Sequence, residues 1–321
     1  MTDDHLFYQE FVSALQKKIL HRATLVNTIT ELLDIDKDAV YRRLRGKVEF
    51  SFTEMAVIAR SLGISLDNIA GIENEQSKPA KVNISRQVNP TEADYEMFDG
   101  RVNLLKSIKD EPDTKIMESG NMFPHYLYQD YEYITRFYLF MWNRASSYGP
   151  ALPYHEIIIP ERLRLLQTET CEYARHIKST VYVWDHWIFQ HFVTNVKYAA
   201  KIGIVKEKDV SLIKNDLTKF LENIENMTIK GKHKETGNEV SLFIFDANCD
   251  MNYSCLKCKN IEMVLFRAFV LNAVVSFEND VFKETTAWIS SLQKMSTLIS
   301  VSGERARAMY LDAQRKIVDT L

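Results

Sequence analysis

The sequence predicts a mainly α protein that has an N-terminal five-helix domain and a larger α-rich C-terminal domain with a small antiparallel β-sheet. Three observations lead to this prediction. Apolar residues recur at helical spacing over most of the chain, glycine (10) and proline (7) are few among 321 residues, and a polar segment at 73–90 interrupts the pattern. A chain of this length exceeds the size at which one hydrophobic core is usual, so two domains are expected.

The composition is that of an ordinary globular protein, with 46% hydrophobic and 26% charged residues. The formal net charge is −3, so any contact with nucleic acid must come from a local basic patch. The N-terminus lacks the pattern of a secretory signal, and no long uncharged apolar stretch occurs. The four cysteines are sparse for this length. We therefore expect a cytoplasmic protein with reduced thiols and no membrane partner.

Five short helices are predicted in the first domain, residues 1–72. Asp36 can cap the third helix, Ser51 and Glu54 form a capping-box pattern before the fourth, and Gly63 can end the fourth. Two turn-tolerant residues, Asp34 and Asp36, separate the second helix from the third. The predicted helices lie at about 4–21, 25–33, 37–45, 52–62 and 66–69.

Residues 73–90 are predicted to be an interdomain linker because they are polar, contain two prolines and have no sustained period. Residues 91–321 then form the second predicted domain. The run 261–276 is apolar and partly β-branched, so periodicity alone leaves strand and helix open, and we favour strand. Strands are also predicted at 239–245 and 252–259. Helices are predicted at about 91–109, 124–147, 160–178, 185–202, 207–225, 279–299 and 303–319.

The second and third helices have the pattern of a helix-turn-helix pair. Leu33, Ile35, Val40 and Leu44 fall where the paired helices share a core with the first helix, and Ala39 is small enough for close approach. The exposed face of the third helix is then polar and mostly basic. Its candidate DNA-binding residues are Lys37, Asp38, Tyr41, Arg42 and Arg45, with Arg43 and Lys47 beside them.

These residue types suit DNA. Arginine pairs bidentately with guanine edges, lysine and arginine hold phosphates, and Tyr41 can touch a phosphate or a thymine methyl group. For each single side chain, a phosphate contact and a base contact remain open. The structural alternative is a helical bundle whose arginine-rich face is only solvated.

The segment ITELLDIDKDAVYRRLRGKVEFSFTEMAVIARSLGISLDNI, within residues 21–72, resembles the phage-repressor-like (XRE-type) helix-turn-helix family. Two positions depart from the family pattern: Asp34 stands where the turn usually has glycine, and Thr30 where the preceding helix usually has alanine. The resemblance implies a bacterial, nucleoid-associated transcriptional regulator whose recognition helix, about 37–45, enters the major groove. Because one such domain buries little surface on DNA, a homodimer that reads two half-sites is expected.

The C-terminal domain is rich in aromatic residues, which fits either a packed core or an apolar pocket for a small-molecule or peptide effector. Candidate polar groups for such a pocket are His125, Tyr133, Asp185, His186 and His191. Cys249, Cys255 and Cys258 with His233 raise the question of a zinc site. If 252–259 is a strand, however, Cys255 and Cys258 face opposite sides, so no metal site is predicted.

The sequence contains no phosphate-binding glycine loop, nucleophile elbow, HExxH or dinucleotide motif, so neither an enzyme nor a cofactor is predicted. Two alternatives to a ligand-sensing regulator stay open. One is a protein-interaction module whose helix-turn-helix is a DNA tether. The other is a DNA-directed enzyme, which would need clustered acidic residues or a metal site in one cleft.

Overall fold

The computed structural model describes residues 3–19, 21–69, 80–146, 148–249, 251–259 and 261–321. The chain divides into two compact units, Met1–Pro79 and Ala80–Leu321. Helices predominate, as the sequence predicts. Among the described residues, no helix combines the length and apolar character that crossing a membrane requires.

The described part of the first unit contains five helices close to the predicted positions. Its core is built from one side of each helix, with Phe11, Ile29, Val40 and Ile58 fully buried. Leu44 is also buried, and Leu33 and Ile35 pack against the same cluster, so the predicted core positions are confirmed. The helices are α1 (Asp3–Lys18), α2 (Arg22–Leu33), α3 (Lys37–Leu44), α4 (Phe52–Leu62) and α5 (Leu66–Ile69).

The second unit is built on one eight-stranded mixed sheet. The strands are β1 (Lys81–Asn83), β2 (Lys115–Gly120), β3 (Ser179–Asp185), β4 (Glu239–Phe245), β5 (Tyr253–Cys258), β6 (Ile261–Ala268), β7 (Asn272–Ser276) and β8 (Thr297–Leu298). Their order is β1-β7-β6-β5-β2-β3-β4-β8. The pairs β2·β3 and β3·β4 are parallel and the other pairs are antiparallel. The prediction of a small antiparallel sheet is therefore wrong.

Helices cover both faces of this sheet. Tyr182 and Trp184 of β3 pack with Phe189 and Phe220 on one face, whereas Val183 packs with Phe282 on the other. The alternation follows from the two-residue repeat of a strand. The helices are α6 (Glu92–Ile108), α7 (His125–Tyr128), α8 (Glu132–Ala145), α9 (Glu161–Ala174), α10 (Ile188–Lys201), α11 (Glu207–Lys230), α12 (Asn279–Lys294) and α13 (Glu304–Asp319).

Several predicted boundaries differ from the structure. The run 261–276 forms β6 and β7, which confirms the strand interpretation. The predicted helix 124–147 is divided between α7 and α8, and the predicted helix 160–178 ends at Ala174 because the chain then enters β3. Part of the predicted linker, 81–83, is instead β1, which pairs with β7. Its beginning, 73–79, lies outside the described residues.

Candidate nucleic-acid interface

The connection between α2 and α3 is a short turn with defined caps. After α2 ends at Leu33, Asp34 adopts a left-handed conformation with φ 51° and ψ 46°. Asp36 then caps α3, because its carboxylate accepts a hydrogen bond from the Ala39 amide at 2.6 Å. The turn therefore consists of residues 34–36, and it sets the direction in which α3 leaves α2.

Asp34 is strained because a residue with a Cβ adopts positive φ at a cost that glycine avoids. We expect Asp34→Gly to stabilise the first unit by about 0.5 kcal/mol, after the larger unfolded-state entropy of glycine is subtracted. Amide hydrogen exchange over α2 and α3 in the full chain measures this change. As a control, Asp38→Gly places glycine inside α3 and should destabilise the same amides. Faster exchange in Asp34→Gly would contradict the assignment of strain.

The outward face of α3 is polar and mainly basic. Lys37, Asp38, Arg42 and Arg45 are exposed on or next to this helix, and so is Lys47 just beyond it. We call these five residues the α3 face. Four of its members carry a positive charge and one a negative charge, so the α3 face is a local basic patch on a chain whose net charge is −3. The arrangement suits a polyanion.

Tyr41 is half-buried and lies between two arginines. Its ring centroid is 5.8 Å from the guanidinium carbon of Arg22 and 5.9 Å from that of Arg45. At these distances the ring attracts both cations and limits their rotamers. Arg22, at the start of α2, was not among the residues predicted from the sequence. The contact between Arg22 and Tyr41 joins α2 to α3. The only sequence signal for it is that a basic residue stands at the start of α2.

Arg43 differs from its neighbours because it is engaged inside the first unit. Its guanidinium Nη2 lies 2.9 Å from Glu54 Oε1, and the two side chains are 19% and 21% exposed. The Glu54 carboxylate also accepts a hydrogen bond from the Ser51 amide at 2.7 Å, completing a capping box at the start of α4. The Tyr8 hydroxyl donates to the Arg43 carbonyl at 2.8 Å. Arg43 therefore joins α1, α3 and α4.

The carboxyl group of Glu54 makes this junction dependent on pH. Burial alone would raise its pKa, but the Ser51 amide and the Arg43 guanidinium outweigh burial and hold the pKa below its ordinary value of 4.5. A lowered folded-state pKa contributes stability above pH 4.5, and that stability is lost as the pH falls through the folded-state pKa.

We expect Glu54→Gln to destabilise the first unit by about 1 kcal/mol at pH 7, because it weakens a charge-assisted contact and one half of the capping box. The difference from wild type should shrink below pH 4.5. Hydrogen exchange over α3 and α4, corrected for intrinsic rates at each pH, measures it. Exposed Glu31→Gln is the control and should have little effect. A difference that persists unchanged into acid would contradict the assignment.

Of the five polar groups considered for an effector pocket, Asp185 and His191 lie close to each other, whereas His125 lines a separate cavity. His125 lines a cavity beside the sheet. Asp185, at the end of β3, is fully buried and accepts hydrogen bonds from the amides of Trp187 and Cys249, so it anchors two chain segments. His186 and His191 have ring nitrogens 3.9 and 3.7 Å from Asp246 and Asp185 respectively. The Tyr133 amide donates to Asp216.

All four cysteines are buried thiols. Cys255 packs on the α12 side of the sheet and Cys258 on the opposite side, as the strand periodicity predicts. His233 is buried elsewhere, in a turn where its amide donates to the Asn238 carbonyl. Within the described ranges, no three His, Cys, Asp or Glu side chains lie close enough together to hold a metal ion.

The first unit thus presents a short turn, a capped α3 and a basic outward face, with Arg43 turned to an internal contact. Arg42 and Arg45 are the exposed arginines of this face. Comparison with family models, with curated proteins and with solved structures finds no match to this chain.

Proposed function

We propose that this protein is a sequence-specific DNA-binding transcriptional regulator in the bacterial cytoplasm, with α3 as its recognition helix. The observation that carries the proposal is the α3 face, a basic surface on a helix that follows a three-residue turn. An α-helix such as α3 is about 10–12 Å across with its side chains, so it fits the roughly 12 Å width of the major groove of DNA. The likeness to the XRE-type family in residues 21–72 supports the same function.

Within this proposal the side chains have different roles. Arg42 and Arg45 reach base edges, where arginine pairs with guanine. Tyr41 holds Arg45 and Arg22 in place by the ring contacts described above. Lys37 and Lys47 hold phosphates, which fixes the register of the protein on DNA. Arg43 acts indirectly, because its pairing with Glu54 orients α3 against α4.

The proposal includes a homodimer. A single domain of this size buries roughly 600–1,000 Å² on DNA and binds with limited specificity. Two copies on half-sites about 34–36 Å apart would combine their contacts. The second unit, Ala80–Leu321, is the larger of the two and offers the larger surface for the contact between copies.

The test is to recover and sequence genomic DNA bound by the full-length protein. The same experiment is run with the double variant Arg42→Ala, Arg45→Ala and with Arg60→Ala, which removes an exposed arginine from α4. A symmetric motif that the double variant loses and Arg60→Ala keeps supports the proposal. Equal recovery by all three proteins would contradict base reading by the α3 face. Failure of wild type to enrich any sequence would favour the protein-interaction module.

A further inference from the structure

A cavity lies in the second unit between the sheet and the helices that follow β1 and β2. Its floor includes Glu118 of β2, which is opposite Ser254 of β5 in the sheet register. Arg267 of β6 lines the same cavity. Arg101 of α6 and Gln167 of α9 contribute to its wall. Apolar and polar side chains both line the cavity, and Glu118 and Arg267 bring ionisable groups to the sheet side of it.

Five side-chain atoms on this lining are buried and have no hydrogen-bond partner among the described residues. Burial of a polar group without a hydrogen-bond partner is unfavourable, so such atoms are uncommon in native proteins. Because five such atoms surround one cavity, we infer that a molecule bound in the cavity supplies their hydrogen-bond partners. The atoms are Glu118 Oε2, His125 Nε2, Gln129 Oε1, Gln167 Oε1 and Trp184 Nε1.

The charges on the lining do not cancel each other. Glu118 is only 7% exposed, yet neither Arg101 nor Arg267 lies within 4.0 Å of it as an ion pair in the described part of the chain. Burial raises the pKa of Glu118 to about 7, although the charge of Arg267 opposes this rise. Two guanidinium groups thus share the cavity with one carboxyl group, which leaves an excess of positive charge.

Donors and acceptors on the lining can be assigned. Arg267 donates from Nη1 to the Phe123 carbonyl at 3.2 Å, and its Nη2 is 3.4 Å from His125 Nδ1. Arginine has no acceptor, so Nδ1 accepts and the proton of the neutral ring sits on Nε2. Burial, with the charges of Arg101 and Arg267, lowers the pKa of His125 and keeps the ring neutral. His125 and Trp184 therefore offer donors, whereas Glu118, Gln129 and Gln167 offer acceptors.

We propose that this cavity binds a small zwitterion of the free α-amino acid class. The ligand carboxylate accepts hydrogen bonds from Arg101 and Arg267, for which carboxylate is a matching partner. The ligand ammonium donates to Glu118 and to a glutamine carbonyl oxygen. The ligand carboxylate also accepts from the unpaired donors His125 Nε2 and Trp184 Nε1, so both kinds of unpaired atom gain a partner. When Glu118 is ionised, each charged group of the ligand faces lining groups of opposite charge. A ligand with only one of the two charged groups would leave part of the lining without partners.

The amino acid is the effector of the proposed regulator, and in this respect the proposal rests on the proposed function. Its binding site, however, lies in the second unit alone. Binding is therefore measured on the full chain without DNA, so that failure of one proposal leaves the other standing. All four tryptophans lie in the second unit, at positions 142, 184, 187 and 288, and Trp184 lines the cavity. Tryptophan fluorescence thus follows both ligand binding and unfolding of this unit.

The twenty L-amino acids are tested one at a time at 10 mM by thermal unfolding and fluorescence titration. We expect at least one to raise the melting temperature of the second unit by about 5–10 °C at roughly 100-fold excess over its Kd. The matching amine without a carboxylate and the matching acid without an amino group should each bind at least about tenfold more weakly. The absence of any binder among the twenty would overturn the proposal, as would equal binding of either analogue.

Two variants locate the site. Glu118→Gln and Arg101→Gln should each weaken binding of that amino acid at least about tenfold. Arg101 is half-exposed, so its variant remains informative if the change at buried Glu118 impairs folding. Glu169→Gln and Arg164→Gln remove the same charges from exposed positions on α9 and should leave the Kd unchanged. Unchanged affinity in both cavity variants would place the ligand elsewhere and overturn the proposal.

Discussion

Replacing Arg42 with alanine is expected to weaken binding to the recovered DNA motif by about 5- to 150-fold, which corresponds to about 1–3 kcal/mol. The reason is that Arg42 is exposed on the α3 face and makes no internal ion pair among the described residues, so its guanidinium is available for a guanine edge. The variant should also discriminate less between the four bases at one position of the motif. Fluorescence anisotropy with the motif and with a scrambled duplex measures both effects.

Two further substitutions distinguish recognition of a base from electrostatic attraction to the phosphates. Lys47→Ala should weaken binding to both duplexes alike and reduce the slope of log K against log salt by about 1, because it removes one phosphate contact. Arg60→Ala removes the same charge as Arg42→Ala from α4 and should change neither specificity nor the preferred base. If Arg42→Ala weakened both duplexes equally, Arg42 would be a phosphate contact and the base-reading role would be lost.

The largest loss of stability is expected for Phe123→Ala, at about 3–5 kcal/mol. Phe123 is fully buried, and its ring centroid lies 4.7 Å from Phe189, 4.9 Å from Phe220 and 5.4 Å from Phe192. Truncation removes these contacts and leaves a cavity that the surrounding rings cannot close. Urea unfolding followed by tryptophan fluorescence reports this unit alone.

The matched control is Phe277→Ala, which removes a half-exposed ring from the segment between β7 and α12. A loss well below that of Phe123→Ala is expected, because its ring already contacts solvent. Similar losses for the two variants would contradict the role assigned to the packing of Phe123 in the aromatic cluster.

The sequence alone predicts the first unit well because its signals are local. Asp36 caps α3 and Ser51 with Glu54 caps α4, both within one turn of helix, so adjacent residues define each boundary. The amphipathic spacing of Val40 and Leu44 likewise follows from a single helix. For this reason the five described helices of the first unit begin and end close to the predicted residues.

The sheet of the second unit was predicted poorly because its strands depend on distant partners. β3 is buried on both faces and lacks the alternation that marks a half-buried strand. β2 contains Glu118, a residue typical of exposed positions, although it lies inside the unit. β1 pairs with β7, almost two hundred residues later in the chain, and its short polar sequence resembles a linker.

In the candidate interface, too, some features follow from local sequence and others depend on contacts between distant residues. Exposure of Arg42 and Arg45 follows from the helical period of α3 and could be predicted. The pairing of Arg43 with Glu54 joins α3 to α4, and the contact of Arg22 with Tyr41 joins α2 to α3. Neither pair has a spacing that a helical period would bring together. The roles of Arg43 and Arg22 are therefore visible only in three dimensions.

The pairing of β1 with β7 has a practical consequence for dividing the protein. A fragment that begins at residue 91 would lack β1 and leave the hydrogen-bonding edge of β7 open to association with other chains. It would also lose Ser85, whose amide and hydroxyl both donate to Asn272, and Gln87, which lines the cavity with Asn272. A fragment that begins at Ala80 keeps these groups. We expect the shorter fragment to aggregate and the longer one to stay dispersed.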